Sequence, residues 1–580
     1  MKFELRIEEG WKITVLLLFS IINLLYMHYY FLFRDLFEAE LFVFSPLFNF
    51  LSVCFDVSLL FVFFFLLACK RVKISLLLTF LVTLLWSLSN VVYGEFFDQY
   101  ISISSLVHSA NLFEGLVIRS VLAKIDWVEL FFLFSFVAFV FVYRAVGQIV
   151  MNKKTILVFL LIPLISLLII LSIYSLYHFA NPKSRNNTEL YIARVKDYAF
   201  VLGSEKNAGP NKLRFQVGCV RFLLSDLYEY FNPKVLTEKE KEEIKLVVND
   251  NKGKESENTL NPKLKNVVFI VLESFLSVSS DIKIGGLQVT PFLDSLKHTP
   301  GVYYNGHVKS NITLGESGDG QFIYMTGLLP CRFKITMGEV VNNLIPSLPS
   351  ILKEHFGVKY TEVVIPTLPK IWIQDKMNVV YGIDNMYCST DYDQGEKDLL
   401  TDEQVFNMAS NTRKIANMPF YSMVLSISTH QPYTDLLDES FVINDSSFSY
   451  PFRVYLNACH YADCQIKKYI EHLKTAKQYD NTLICIVADH QPHMDSLQMG
   501  DDISQELPFY IINGGFDLET AYCGPCNQLD VFTTILDVLN INSKWKGLGC
   551  SLLSPNYKNK VNSELYRLSE LIIESNYFSR

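Results

Sequence analysis

The sequence predicts a chain in two parts. A five-helix N-terminal membrane domain is followed by an α/β domain built on a central mixed, mostly parallel sheet. Three observations carry that reading. Hydrophobic residues make up 50% of the 580 residues, and the excess sits before about residue 180. Beyond residue 263, short β-branched runs alternate with helical patterns, as in a sheet with helices on both faces. Two of those runs, VVFIVLES at 267–274 and ICIVADHQPH at 484–493, end abruptly on charged residues. A buried parallel strand reads as a continuous apolar run, and open sheets place ligands beyond the C-terminal strand ends.

Five apolar stretches are long enough for a hydrocarbon core that takes roughly 20 helical residues. They are Trp11–Phe33, Asn49–Cys69, Ile74–Tyr93, Trp127–Tyr143 and Ile156–Phe179. The first exceeds a signal-peptide core and no small-residue cleavage site follows it, so it is read as an uncleaved span. Lys70, Arg71 and Lys73 lie between the second and third spans, and Arg144, Lys153 and Lys154 between the fourth and fifth. These short basic loops belong in the cytoplasm. The loops Arg34–Phe48 and Gly94–Asp126, the latter with only Arg119 and Lys124 as basic residues, then lie outside. The large C-terminal part is therefore expected outside the cytoplasmic membrane. Asp56 is the only charged residue well inside a span. It is read as a water-exposed or helix-facing carboxylate, with no transport path assigned.

Three regions follow: a membrane domain at 1–180, an extracytoplasmic linker at 181–262 and an α/β domain at 263–580. In the linker, Leu213–Phe231 reads as a helix packed on the membrane or on the following domain, Thr237–Leu246 as a solvated charged helix, and Asp250–Pro262 as a loop. In the third region Thr290 is placed to cap a helix that begins at Pro291. Tyr303–Val308 is β-like. In SNITLGESGDGQF, the glycines at 315, 318 and 320 make a tight turn and Gln321–Leu328 continues as a helix. Ser317 is thereby set at a helix N-terminus, where backbone N–H groups and the helix dipole favour a phosphoryl group. Tyr360–Val364 reads as a strand, Ile371–Met377 as a turn into a helix, and Phe420–Ser428 as a buried strand ending at His430. Leu456–Leu473 is an amphipathic helix, Thr482–Val487 a strand before Asp489 and His490, and Gln528–Leu539 a helix.

Strand ends thus carry Glu273, His430, Asp489 and His490, and the glycine turn carries Ser317. Parallel strands gather these ends at one sheet edge. Glu, Asp and His together suit a divalent ion such as Zn²⁺ or Mn²⁺. A metal at a serine oxygen lowers its pKa and offsets phosphoryl charge.

With those residues in view, the chain resembles a membrane-anchored member of the alkaline-phosphatase/sulfatase superfamily. It is most similar in pattern to the lipoteichoic-acid synthases, the polyglycerolphosphate synthases, and less so to phosphoethanolamine transferases. The matching pieces are NVVFIVLES at 266–274, GESGDGQF at 315–322, STHQPY at 428–433, ADH at 488–490 and QLDVFTTILDVLNI at 528–541. The resemblance implies an α/β/α catalytic domain and one metal held by Glu273, Ser317, Asp489 and His490, with Mn²⁺ first and Zn²⁺ or Mg²⁺ as alternatives. It implies a covalent intermediate on Ser317, where the synthases carry Thr. It also implies a substrate-contacting role for His430, as proton donor or phosphate ligand. Trp372 and Asp375 match a substrate-binding segment that normally holds an Arg; Gln374 stands in that segment here. A family histidine is absent at 364–368. Thr313 is a rival nucleophile by residue type, but it precedes the glycine turn. A sulfatase-type formylglycine signature is absent, since Phe333 follows Cys331 where that signature needs Pro.

Net charge is −8 and no basic stripe stands out, which excludes nucleic acid as a partner. Of eleven cysteines, nine lie beyond the spans. Cys523-Gly-Pro-Cys526 lacks the strand-to-helix setting of a redox motif and reads as a local disulfide or plain loop. Cys459 and Cys464 share one helix.

The expected activity is metal-dependent transfer of a phosphoglycerol-type head group. The donor is a membrane phospholipid, and the acceptor a cell-envelope glycan, lipid or polymer. A phosphoethanolamine transferase and a phosphodiesterase of the same fold are the alternatives. A non-catalytic scaffold is disfavoured by the presence of all four metal-type residues.

Overall fold

The computed structural model describes residues 7–34, 44–103, 106, 127–147, 149, 153–180, 210–232, 234–250, 263–392, 399–412, 418–498, 503–515 and 521–579. Arg119 and Lys124, used for orientation, and nearly all of the 250–262 loop lie outside the described residues. The chain divides into two compact units, Met1–Pro233 and Lys234–Arg580.

The first unit contains α1 (Ile7–Phe33), α2 (Ser45–Leu67), α3 (Val72–Phe97), α4 (Trp127–Ala145) and α5 (Lys153–Ala180). Each is long and apolar enough to cross a membrane, with qualifying stretches of 19 to 26 residues. Small and polar residues let the helices meet. A Cβ at Gly94 of α3 would lie 2.8 Å from the Phe31 ring of α1. The Ser135 hydroxyl donates to Asn23 Oδ1 at 2.7 Å. The spacing at 213–231 predicts one helix; the structure has two, α6 (Pro210–Val217) and α7 (Cys219–Phe231). Gly218 breaks them, with φ +83°. Asp56 explains the break. Its Oδ2 accepts the Cys219 N–H at 2.7 Å, and a Cβ on Gly218 would lie 2.6 Å from that oxygen. Asp56 is thus a helix-facing carboxylate that caps α7.

In the second unit, α8 (Glu238–Asp250) is tied to the C-terminal part by Glu243, which accepts from Arg567 at 2.6 Å. Then come β1 (Asn266–Leu272), a small hairpin of β2 (Lys283–Ile284) and β3 (Leu287–Gln288), α9 (Pro291–Lys297), β4 (Val302–Lys309), α10 (Glu316–Thr326) and β5 (Tyr360–Val364). α11 (Gln374–Tyr381), β6 (Asn385–Tyr387), α12 (Asp402–Thr412), β7 (Phe420–Leu425), α13 (Tyr450–Thr475) and β8 (Thr482–Ala488) follow. The chain closes with β9 (Leu507–Ile512), β10 (Cys526–Asn527), α14 (Gln528–Val538) and α15 (Ser563–Glu574). Eight strands form one sheet in the order β10-β4-β9-β8-β1-β7-β5-β6. β1 lies between β7 and β8, parallel to both, and all seven of its residues are buried. Only β9 runs against its neighbours, β4 and β8.

The sequence pattern does not reveal β9, because Pro508 argues against a central strand. The structure absorbs it: the β4 register shifts between Asn305 and Val308 opposite that position, and the β8 ladder ends at Phe509. The expected cap at Thr290 is also corrected. Its side chain makes no cap bond. Asp463 of α13 instead accepts the Phe292 and Leu293 N–H groups at 2.9 and 2.8 Å, a carboxyl acceptor at the dipole's positive end.

Candidate active site

The register of β1 with β8 sets Leu272 beside Ala488, so the residues after them, Glu273 and Asp489, leave the sheet side by side. The chain turns at once: Ser274 has φ +46°, and its N–H donates to Asp489 Oδ1 at 2.8 Å. The same oxygen accepts the His490 N–H at 2.7 Å. The Glu273 N–H donates to Ser426 Oγ at 2.9 Å, and the Ser274 hydroxyl to Glu273 Oε1 at 2.8 Å. Two backbone N–H groups therefore fix the Asp489 carboxylate, and the Ser274 hydroxyl fixes that of Glu273, before any ligand arrives.

α10 brings Ser317 to this edge. Ser317 Oγ lies 3.1 Å from Glu273 Oε2 and 3.1 Å from His490 Nε2. The glycines of GESGDG allow the approach. A Cβ on Gly320 would lie 2.4 Å from the Asp489 carbonyl oxygen, and one on Gly315 2.2 Å from Asp319 Oδ1. Asp319 is fully buried. Its Oδ2 accepts from the Thr313 N–H and hydroxyl and from the Gly315 N–H, at 2.8 to 2.9 Å. This is where the rival Thr313 is spent: its hydroxyl is bonded to Asp319 and the Cys331 carbonyl. From the other side, Gln528 of α14 donates to the Asp489 carbonyl at 2.6 Å.

Glu273, Asp489 and His490 offer ligand atoms that all lie within 4.8 Å of one another. Their electrostatics are those of a cation site. Burial, then the Glu273 charge, pushes Asp489 well above the carboxylate range. Burial also opposes the Glu273 charge, but His490 and His430 outweigh it and hold Glu273 below its ordinary value. Burial lowers His490 less than Asp489, Glu273 and Glu316 raise it, and the ring is pushed up to about 9. Two buried carboxylates this close demand a compensating charge, here a proton on the histidine or a bound cation. The donor set of two carboxylates, an imidazole and a hydroxyl suits a divalent ion. His490 Nδ1 faces the Gln491 carbonyl at 2.7 Å, which directs Nε2 at Ser317, the arrangement expected of a ligating imidazole.

The remaining predicted residues are placed less closely. His430 is exposed at the rim, its Nδ1 on the Gln431 carbonyl, repeating the His490-Gln491 arrangement. Its loop is fixed by Asp402, whose Oδ1 accepts the Ile427 and Ser428 N–H groups at 2.7 and 3.1 Å. Trp372 and Ile373 are consecutive left-handed residues, φ +52° and +55°, a strained turn for bulky side chains. The Trp372 ring lies 3.4 Å from where a Gly318 Cβ would be, so it borders the start of α10. Gln374 instead bonds Asn378 within its own helix at 3.2 Å, and Asp375 is exposed, accepting the Lys376 N–H.

Sequence reasoning missed Glu316 and His493. Glu316 has φ +41° and accepts from His493 Nε2 at 2.9 Å. Burial is outweighed by His493, and the Glu316 carboxyl is held low. All eleven cysteines are free thiols, Cys523 and Cys526 included, so the CGPC segment holds no disulfide; it is a loop that runs into β10 at Cys526.

Residues 265–541 match the Sulfatase family model. The matched residues lie within the C-terminal unit. The lipoteichoic acid synthase of Staphylococcus saprophyticus is 25% identical over 507 residues, covering 82% of this chain and 74% of that protein. The lipoteichoic acid synthase of Staphylococcus aureus is 28% identical over 304 residues, 49% of this chain; the chain matches 46% of that protein, about half its length. Among solved structures, the lipoteichoic acid synthase LtaP from Listeria monocytogenes aligns with 57% of this chain and 96% of its own at 19% identity, TM-score 0.45. The sulfatase-family match begins at the first residues of β1 and ends just after α14, and so encloses every strand end described above.

Proposed function

We propose that residues 263–580 form a metal-dependent phosphotransferase domain, anchored by 1–180 and joined to it through 181–262, on the outer side of a bacterial cytoplasmic membrane. The reaction moves a phosphoglycerol-type head group from a phospholipid to an extracytoplasmic glycan, lipid or polymer. One observation carries this reading: Ser317 Oγ sits at 3.1 Å from both Glu273 Oε2 and His490 Nε2, inside a buried carboxylate–imidazole cluster.

Glu273, Asp489, His490 and Ser317 would hold the ion, Mn²⁺ first, which supplies Lewis-acid activation of the serine oxygen and neutralises phosphoryl charge. The rest belongs to the chain. The Ser317 hydroxyl proton is held toward Glu273 Oε2, leaving an oxygen lone pair for phosphorus. The N-terminal turn of α10 presents its positive dipole end to the phosphoryl oxygens. Ser317 Oγ attacks phosphorus as its proton passes to Glu273 Oε2; the bond from phosphorus to the lipid oxygen breaks, and His430, at the rim, donates a proton to the departing diacylglycerol. An acceptor hydroxyl then displaces Ser317 from phosphorus, giving its proton to His430 while Glu273 returns the first proton to Ser317 Oγ. Trp372 walls the pocket beside Ser317.

A phosphoethanolamine head group is the second reading. Glu316 favours it, because a low-pKa carboxylate next to the nucleophile offers a counter-charge to an ammonium. The test is mass spectrometry of the protein incubated with Mn²⁺ and phosphatidylglycerol or phosphatidylethanolamine. The proposal expects a head-group adduct on Ser317 with one of them. No adduct, with full activity retained in Ser317→Ala, would sink it.

A further inference from the structure

The segment Pro210–Phe231 belongs to the first unit, and its hydrogen bonds trace a descent along α2 and a return. Near its start, Asn211 Nδ2 donates to the Asp98 carbonyl at 2.8 Å, just beyond α3. Deeper, Asn49 Nδ2 donates to the Phe215 carbonyl and Ser52 Oγ to the Gln216 carbonyl, both at 2.7 Å. Asp56 takes the Cys219 N–H at the tip. On the way back Arg221 Nη2 donates to Ser52 Oγ at 2.9 Å, and Asp226 accepts the Ile103 N–H at 3.3 Å, again beyond α3. Asn49, Ser52 and Asp56 follow one face of α2, so the tip lies about 10 Å along that helix from Asn49, at a rise of ~1.5 Å per residue.

We propose that Pro210–Phe231 is a re-entrant helical hairpin inserted in the bilayer, with Leu224, Leu227 and Phe231 facing lipid. The inference rests on the membrane reading of the first unit. Three further observations carry it. The break between the helices is saturated, the Gly218 N–H on the Arg214 carbonyl and the Cys219 N–H on Asp56, which is the condition for non-helical backbone at membrane depth. The polar groups of the hairpin point into protein. Arg214, 2% exposed, donates to the Ile101 carbonyl at 2.7 Å and pairs with Asp226. Finally, α7 buries Cys219, Arg221, Phe222 and Ser225, whereas its opposite face is Leu224, Leu227 and Phe231, 41% to 70% exposed, flanked by Tyr228 and Tyr230. A bare aliphatic stripe with tyrosines at its margins matches the boundary of hydrocarbon and head groups, not water. Membrane contact would then extend past residue 180 to Phe231.

The experiment uses the full chain in vesicles of phosphatidylglycerol and phosphatidylethanolamine. The photo-crosslinker p-benzoylphenylalanine is placed at 224, 227 and 231 in turn. Position 134, on the exposed face of α4, serves as the lipid-facing control, and position 222 as the buried one. After irradiation, phospholipid adducts are expected at 224, 227 and 231 at yields like that at 134, and none at 222. Adducts that join these positions to peptides from 234–580 would overturn the proposal. So would an absence of lipid adducts there while position 134 forms them.

Discussion

Asp56 in the first unit and Asp489 in the second are both buried aspartates approached closely by a glycine. A Cβ at Gly218 would lie 2.6 Å from Asp56, and one at Gly320 2.4 Å from the Asp489 carbonyl. Their company differs. Asp56 lies near the Arg221 guanidinium and receives the N–H at the start of α7, so a cation and a helix end answer its charge. Asp489 shares its surroundings with Glu273 and His490, with all their ligand atoms within 4.8 Å. A carboxylate answered by a helix end holds two segments together. Two carboxylates facing each other leave a charge deficit that recruits a proton or an ion. Burial alone therefore does not mark a functional acid; the identity of the answering charge does.

The largest test of this contrast is Ser317→Ala, which should lower head-group transfer by roughly 10⁶-fold, the scale of losing a nucleophile. A radiolabelled-lipid transfer assay reads it. Next, Glu273→Gln should abolish stoichiometric metal in the purified protein, measured by elemental analysis, and chelation of the wild type should stop transfer reversibly. Retained metal in that variant would break the comparison at its functional end.

The pH dependence sharpens it further. His490 is raised from 6.5 to about 9 in the metal-free fold. Its protonated form contributes stability that is fully present below pH 6.5 and is lost as pH rises toward 9. A metal needs the neutral ring, so its affinity should run the opposite way. Calorimetric titration should show it rising roughly tenfold per pH unit across that window for this one proton.

Gly320→Ala should destabilise the second unit by about 1–3 kcal/mol, because the neighbour is backbone and cannot yield. Denaturant unfolding checks this, with α10 and Ser317 drawn away from Asp489 and transfer reduced. The smallest effect belongs to Asp56. Asp56→Ala should cost about 1–2 kcal/mol as a lost cap, and Asp56→Asn less, with metal content unchanged in both. Metal loss in either would erase the distinction between the two aspartates.

Much of this was legible because it depends on local pattern. The run VVFIVLES is buried on both faces and ends on its carboxylate, and ICIVADH does the same, so two neighbouring strands announced themselves. Glu273, Asp489 and His490 could be gathered from strand ends, and Ser317 from the glycine turn, without coordinates. What stayed hidden depended on distant partners. β9 was concealed by Pro508, whose missing N–H matters only once the β4 irregularity is known. The α9 cap fell to Asp463, 171 residues from Phe292, not to adjacent Thr290. Glu316 and His493 become a pair only when α10 meets the loop after β8.

By itself, the sequence determined the five apolar helices, the strand-rich second half, the placement of Glu273, Asp489 and His490 at strand ends and Ser317 in a glycine turn. Periodicity and apolar run length are properties of neighbours along the chain, and they survive without folding. The tertiary structure alone decided that Ser317 Oγ, not Thr313, reaches the carboxylates, and that Asp56 serves as a cap. Both are matters of a few ångströms between segments far apart in sequence. They are settled by which backbone groups the packing leaves to be answered, and by where the absence of a Cβ lets two segments touch.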